Sequence, residues 1–456
     1  MNAIIFAAAW GVIMMYTGVA TRRKSMSRNV AVAGMIGLIA VTWLEYAGLS
    51  FFNIPLGGML EFSTFSLVMD LVLFASTLIF FMLSGSDVEE VGIYGADYFA
   101  LIFFVLCGAA IVTAFKSLLM LFLGIEILSI PLYVLAASDK RNLKSNEAGL
   151  KYLLMGSFST GLMLMGIAFI YGGTGTFYTD GISMGTTAPS TLLVAGMVLL
   201  LISMAFKVSA APFHFWTPDV YDGSPAVFTS FMATVVKAAA FVGFLRLFEN
   251  AFGKMQEDWQ VLMAIITAAT LLIGNLTAVF QQSVKRMLAY SSIAQAGFML
   301  FAIFALNNTG KQGLILYTAA YSLATIGVFA VLVRMKDYTF EGFNGLAKHQ
   351  PLVAALVAVF MLSLAGIPLT AGFFAKYYML VAALKTGKMF WLVILGVICA
   401  AISIYYYFRV IQAMYFREGN DQGIRLSEGF KTTLLVTAVL VILLGVHPDW
   451  LLQLLN

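Results

Sequence analysis

The sequence predicts an all-α polytopic membrane protein of about fourteen transmembrane helices, with two inverted five-helix repeats and two discontinuous spans. Three observations lead there. Of the 456 residues, 61% are hydrophobic and 11% charged, where soluble domains carry about 25% charged residues. The apolar runs are long and continuous enough for a hydrocarbon core of roughly 30 Å, and they lack the polar–apolar alternation of barrel strands. Two of the runs are interrupted by Pro and Gly, five spans apart.

The spans follow in order along the chain. The first, 2–20, ends in TRRK and reads as a span rather than a cleaved leader. Spans 30–51 and 65–83 complete an N-terminal group of three. Runs 97–114 and 117–136 are separated only by Phe115, Lys116 and Ser117; a single helix over both would overrun the bilayer, so a tight turn is expected. Then come 150–171, 190–213, 225–247, 260–280, 289–306, 313–333, 351–380, 389–413 and 431–448.

The distribution of basic residues sets the expected orientation. Loops bearing Arg22, Arg23, Lys24 and Arg28, then Lys140, Arg141 and Lys144, then Lys285 and Arg286, then Arg334, Lys336 and Lys348, then Arg417 and Arg425 fall on one side. The other side holds scattered lysines such as Lys254, Lys311, Lys385 and Lys388. The basic side is assigned to the cytoplasm, which puts both termini on the periplasmic side. One expected cytoplasmic loop, SGSDVEEVG at 84–92, is acidic.

The seventh span is broken near Ala211–Pro212, and the twelfth near Gly366–Pro368 and Gly372. A separation of five spans, an odd number, inverts the second unit, and paired broken helices point to an inverted-repeat transporter. The expected division is 1–96, a three-helix segment; 97–250, a first repeat; 251–415, an inverted second repeat; and 416–456, a C-terminal helix. Each broken helix carries a lysine, Lys207 or Lys376.

Ionisable residues inside a membrane are costly and usually functional. Glu126 lies mid-span in LFLGIEILSIPLYVLAA. Lys207 is its natural partner by depth, either as a switchable proton holder or as a static buried pair fixing helix packing. Lys237, in FMATVVKAAAFVGF, is flanked by apolar residues for nearly two turns, which favours a central role over snorkelling. Lysine suits proton loading because its charge state responds to burial. Lys376, in AGFFAKYYML, is nearer a helix end, where snorkelling competes with function. His214, beside the first break, is read equally as structural or as a relay. Lys285 and Arg286 open a span on the basic side. Arg286 reads as an orientation anchor, and Tyr290, Ser291, Ser292 and Gln295 beyond them would suit a hydrated passage or ordinary packing. Arg409 is open between relay and anchor.

Cys107 and Cys399 sit in apolar runs without metal-ligand spacing and read as packing residues. Neither a dinucleotide fingerprint nor a P-loop is present, so soluble redox chemistry and ATP hydrolysis are not expected of this chain. Nothing suggests a nucleic-acid surface.

KVSAAPFHFWTPDVYDGSP, followed by the lysine of VVKAAAF, resembles the antiporter-like membrane subunits of respiratory complex I, and the PFHFWTPDVYDGSP form resembles their N-type. LFLGIEILSIPLYVLAA, KRMLAYSSIAQAG and LAGIPLTAGFFAKYYML are similar to the fifth-, tenth- and twelfth-span motifs of that family. The resemblance covers nearly the whole chain. It implies fourteen helices in two inverted five-helix repeats, and a proton-translocating place in the membrane arm of an NADH:quinone oxidoreductase. It implies that Glu126 and Lys207 form the coupled pair of a first half-channel, that Lys237 is the central lysine and Lys376 that of the second half, and that Lys285 and His214 are connecting relays. It places NADH, FMN, iron–sulfur clusters and quinone in other subunits, with no cofactor or metal expected here. M-, K-, J-, A- and H-type subunits and the lipid bilayer are the implied partners, and a bacterial inner membrane the implied location. The rival readings are a Na⁺/H⁺ antiporter subunit and a non-pumping structural spacer.

Overall fold

The computed structural model describes all residues except 21–23, 53, 55, 93–94, 185–188, 420–425 and 456. Arg22, Arg23, Arg425 and the side chain of Lys24 therefore lie outside the described residues. The described residues are mostly helical, with no strand among them. Among the described residues, twelve helices are long and apolar enough to cross a membrane, where about fourteen spans were expected. Three shorter apolar helices, Thr191–Lys207, Pro351–Ala365 and Ala371–Leu384, occupy the two segments read as discontinuous.

In order, the helices are α1 (Asn2–Ala20), α2 (Lys24–Tyr46), α3 (Thr64–Glu90), α4 (Gly95–Ala114), α5 (Leu118–Ala136), α6 (Leu143–Thr174), α7 (Thr179–Met184), α8 (Thr191–Lys207), α9 (Trp216–Gly223), α10 (Ala226–Phe231), α11 (Lys237–Asn250), α12 (Gln256–Val279), α13 (Val284–Ala305), α14 (Asn308–Leu332), α15 (Leu346–His349), α16 (Pro351–Ala365), α17 (Ala371–Leu384), α18 (Phe390–Phe416), α19 (Glu428–Val446) and α20 (Asp449–Leu452). Helix starts are set by short polar side chains. Ser63, Ser117, Asn142, Ser190, Ser283, Asn307 and Ser427 each accept a hydrogen bond from a backbone N–H of the first turn. A cap and a turn glycine accompany two boundary differences. α6 starts seven residues before the expected 150 because Asn142 caps it and ends at left-handed Gly175. α2 covers 24–46 rather than 30–51, and Gly48 turns the chain with φ +89°.

The segment Ala226–Asn250 and α14 are fully enclosed by other helices, and α13 nearly so, whereas in α1, α2, α18 and α19 no more than about a third of the residues are buried. The enclosed helices form the axis on which the polar residues are mounted. One end of this bundle is tied by short connections. There Phe115, Lys116 and Ser117 make the expected tight turn between α4 and α5, and bridge-paired contacts join Leu60 to Phe115 and Ser117 to Tyr178. Lys116 pairs with Asp180 at 3.1 Å and Glu61 at 3.4 Å, and the hydrogen bond to Asp180 with the charge of Glu61 raises its pKa above the ordinary lysine value. The opposite end holds a cavity of about 1020 Å³ lined by Asp87, Asp139, Lys144, Asp222, Lys285 and Arg334 among others.

The acidic segment 84–92 is not a loop: α3 continues to Glu90. Arg334 makes this possible. Its guanidinium pairs with Asp87 at 2.9 Å, donates to the Leu83 carbonyl and Ser86 Oγ, and lies 4.0 Å over the Phe430 ring of α19. The fixed cation offsets the carboxylate that would otherwise push the segment into water.

At the second break, Gly366 has φ +86° and ends α16, and α17 restarts at Ala371 with Gly372 pressed on α16. A Cβ at Gly372 would lie 1.8 Å from the Ser363 carbonyl oxygen. Gly372→Ala is therefore expected to destabilise the chain by about 1–3 kcal/mol through backbone displacement, measured as lower subunit abundance in membranes and a lower melting temperature in detergent.

Candidate functional site: a buried line of lysines

Lys237 is 2% exposed on an enclosed helix. Just before it, Met232–Val236 forms one π-helical turn, which sets the direction in which Lys237 leaves the helix. Its Nζ donates to both the carbonyl oxygen and Oγ of Ser292 at 3.0 Å and lies 5.6 Å from the Tyr221 ring centroid. Ser292 is on α13, seven residues after Lys285. Two helical turns place the two on one face, roughly 10 Å apart along the axis.

Lys285, 4% exposed, lines the cavity. Its Nζ donates to the carbonyls of Asp222 at 2.7 Å and Ser224 at 2.6 Å, where α9 ends. A cation suits the free carbonyls and negative dipole end of a helix. Beside it Arg286 pairs with Asp219 and Asp222, and Lys151 with Glu147 and Asp219, so a surface ion network ties α6, α9 and α13 together. This geometry fits the anchor reading of Arg286.

Lys376, 6% exposed, sits under the second break. Its Nζ donates to the carbonyls of Leu364 at 3.0 Å and Ala365 at 2.8 Å, and to Ser403 Oγ at 3.3 Å. The Leu364 carbonyl also accepts from Gln295 Nε2 at 3.0 Å. Gln295 accepts a short hydrogen bond from Tyr317 and donates to Tyr407 at 2.9 Å, and Tyr407 meets Ser291 at 2.5 Å. A polar string thus runs from Lys237 through Ser292 and, one turn on, Gln295 and its tyrosines to Lys376.

Glu126 and Lys207 are both half-buried. They form no direct ion pair. Lys207 Nζ donates to Ser129 Oγ at 3.0 Å, and Glu126 accepts from Thr160 Oγ1 at 2.7 Å. Ser129 lies three residues after Glu126 on α5, so the Glu126 and Ser129 side chains share a face of that helix. Lys207 is the last residue of α8, where the first break begins. His214, 5% exposed in that break, has an unpartnered Nδ1 and hydrogen-bonds none of the four lysines among the described residues. Arg409 donates to the carbonyls of Val279 and Gln281 and stacks 4.0 Å over Phe340, which favours anchoring.

None of Lys207, Lys237, Lys285 and Lys376 has a carboxylate within ion-pair distance among the described residues. Four amines, three buried and one half-buried, held by hydroxyls and carbonyls can gain or lose a proton without breaking an ion pair, which is what hopping between them requires. No cluster of three or more His, Cys, Asp or Glu suited to a metal occurs among the described residues. Sequence reasoning missed Ser129, Thr160, Tyr317, Ser403 and Tyr407. It also passed over Asp70, 1% exposed in α3 and bonded by Thr113 at 2.7 Å, although an aspartate inside SLVMDLVLF was a visible signal.

The family described as NADH:quinone oxidoreductase/Mrp antiporter, TM matches residues 116–403. The chain is 39% identical to an NADH-quinone oxidoreductase subunit N of Cytophaga hutchinsonii over 99% of both chains, and 42% identical to that of Trichlorobacter lovleyi over 78% of this chain and 75% of the other. It superposes on a chain of respiratory complex I from Thermus thermophilus with TM-score 0.85 and 30% identity, covering 99% and 98% of the two. It also superposes on a chain of the Mrp complex from a Dietzia species with TM-score 0.85, at 20% identity, a likeness of fold alone. The chain belongs to the NADH:quinone oxidoreductase/Mrp antiporter membrane family, in its subunit N branch.

Proposed function

We propose that this chain is a proton-translocating membrane-arm subunit of an NADH:quinone oxidoreductase, carrying protons along its buried lysines while the redox chemistry occurs elsewhere in the complex. The observation that carries the reading is the polar string from the cavity to Lys376. Protons reach Lys285 from the cavity, which we assign to the cytoplasmic side. They pass to Lys237, then by Ser292, Gln295, Tyr317 and Tyr407 to Lys376, and leave at the opposite face. Glu126 and Lys207, coupled through Ser129, form the control point. Quinone reduction in a neighbouring subunit shifts charge near Glu126, and the Lys207 ammonium is released from it. Lys207 then passes its proton toward Lys237, and a proton leaves by way of Lys376. His214 lies off this line, and we assign it to shaping the break.

In this reading the chain has no cofactor of its own; NADH, FMN, iron–sulfur clusters and quinone belong to other subunits, and M-, K-, J-, A- and H-type chains are its neighbours in a bacterial inner membrane. Both termini lie on the periplasmic side. The segments 1–96, 97–250, 251–415 and 416–456 act as support, two inverted half-channels and a closing helix.

The test is Lys207→Met in the intact complex, in sealed vesicles. The protons pumped per electron are expected to fall while the complex still assembles. Unchanged pumping would favour the structural spacer, and sodium-driven transport retained by the variant would favour the cation antiporter.

A further inference from the structure

The Tyr133 side chain has no role in the route above, yet its position is unusual. It is 7% exposed on α5, and its hydroxyl is buried without a hydrogen-bond partner. Tyr133 follows Ser129 by four residues and Glu126 by seven, so the three share one face of α5. That face packs on α6. Thr160 reaches Glu126, Gly156 faces the Tyr133 hydroxyl, and the Tyr152 ring meets the Tyr133 ring edge-on with centroids 4.9 Å apart. Tyr152 in turn stacks on Trp216 of the first break at 4.7 Å.

Gly156 matters here for space. A Cβ at that position would lie 2.2 Å from the Tyr133 hydroxyl oxygen. The missing side chain leaves a niche that the hydroxyl occupies. Beyond Tyr133 toward the cavity, the Ser138 hydroxyl is likewise buried without a partner, and Asp139 already lines the cavity. An unpartnered buried hydroxyl costs about 1–3 kcal/mol. The Tyr133 hydroxyl lies within reach of Ser129, and both it and the Ser138 hydroxyl keep donor and acceptor capacity free for a proton.

We infer that Tyr133 is a proton relay that reloads Lys207 from the cavity through Ser129. This rests on the reading that Lys207 holds a transferred proton. The transfer is balanced. A proton from the cavity, handed on by the Ser138 hydroxyl in exchange for its own, binds the Tyr133 oxygen as the hydroxyl passes its proton to Ser129. Ser129 accepts it and gives its own hydroxyl proton to neutral Lys207. All three hydroxyls end with the composition they began with, and the net change is one proton from the cavity to the amine. Lys207 thereby has a supply separate from Lys285, so the control point and the transport line can be loaded independently.

Tyr133→Phe tests this, because it removes only the hydroxyl and keeps the ring against Tyr152. In vesicles carrying the intact complex, proton transfer to Lys207 is expected to slow about a hundredfold, the low end for a positioned acid–base group. The readouts are fewer protons pumped per electron and a larger solvent deuterium isotope effect, with thermal stability equal to or above that of the parent. Gly156→Ala, which fills the niche while leaving the tyrosine, is expected to reproduce the isotope effect. If Tyr133→Phe pumps normally with an unchanged isotope effect while Lys207→Met does not pump, the relay is overturned and the Lys207 reading stands. If Lys207→Met also pumps normally, both fall. Lower pumping with lower stability and no isotope effect would assign Tyr133 to packing and likewise overturn the relay.

Discussion

Replacing Lys237 by methionine is expected to abolish proton translocation through this subunit and to leave the chain folded. The two halves of that expectation come from the same contacts. The ammonium has Ser292 and the face of Tyr221 as its partners, with no carboxylate in ion-pair range. Keeping an unpaired cation in such a site costs several kcal/mol. Methionine has a similar length, fills the same space and carries no charge, so the bundle is stabilised or unchanged. The loss falls wholly on transport, because the string from Lys285 to Gln295 is then without its central acceptor. Lys237→Arg separates charge from proton exchange. Arginine keeps the positive charge but does not give up its proton, so it is expected to block pumping as fully as methionine does. The measurement is protons translocated per electron by reconstituted complex, with subunit abundance as control. Normal pumping by the arginine variant would show that the site needs only a fixed cation, and the hopping scheme would fail.

How far these residues could be read before the structure depends on what holds them. Lys207, Lys237, Lys285 and Lys376 were legible because a charge in an apolar run is conspicuous whatever it touches. Both breaks were legible because Pro212, Gly366 and Gly372 act on the local backbone. The groups between the lysines were not. Ser129, Tyr133, Tyr317, Ser403 and Tyr407 look like ordinary helix residues in the sequence, and only packing between helices distant along the chain turns them inward. Gln295 meets Leu364 across 69 residues, and Ser291 meets Tyr407 across 116. The π-helical turn at Met232–Val236 has no composition of its own either, since MATVV reads as a plain helical stretch. The acidic segment 84–92 was misread as a loop for the same reason: Arg334, which lets it stay helical against the bundle, is more than 240 residues away. The coupling of Glu126 to Lys207 is a subtler case. Depth in the membrane paired the two residues, but the Ser129 hydroxyl that Lys207 meets instead is a property of the α5 face and of where α8 ends.

Lys376 makes a different prediction from Lys237, because it carries structural weight as well. Its ammonium satisfies the Leu364 and Ala365 carbonyls, which the end of α16 leaves without helical partners, and reaches Ser403 on α18. Lys376→Met therefore removes a proton carrier and strips two buried carbonyls of a donor. Each unsatisfied carbonyl costs about 1–3 kcal/mol, although the Leu364 oxygen keeps Gln295 as a second donor. The expected result is loss of pumping together with a destabilisation of about 1–3 kcal/mol, seen as a lower melting temperature and less subunit in the membrane. Lys376→Arg divides the two effects. The guanidinium still donates to the carbonyls, so abundance recovers, but it does not release a proton, so pumping stays lost. Pumping that recovered along with abundance would mean that Lys376 serves only to cap α16, and the outward end of the proton line would have to lie elsewhere.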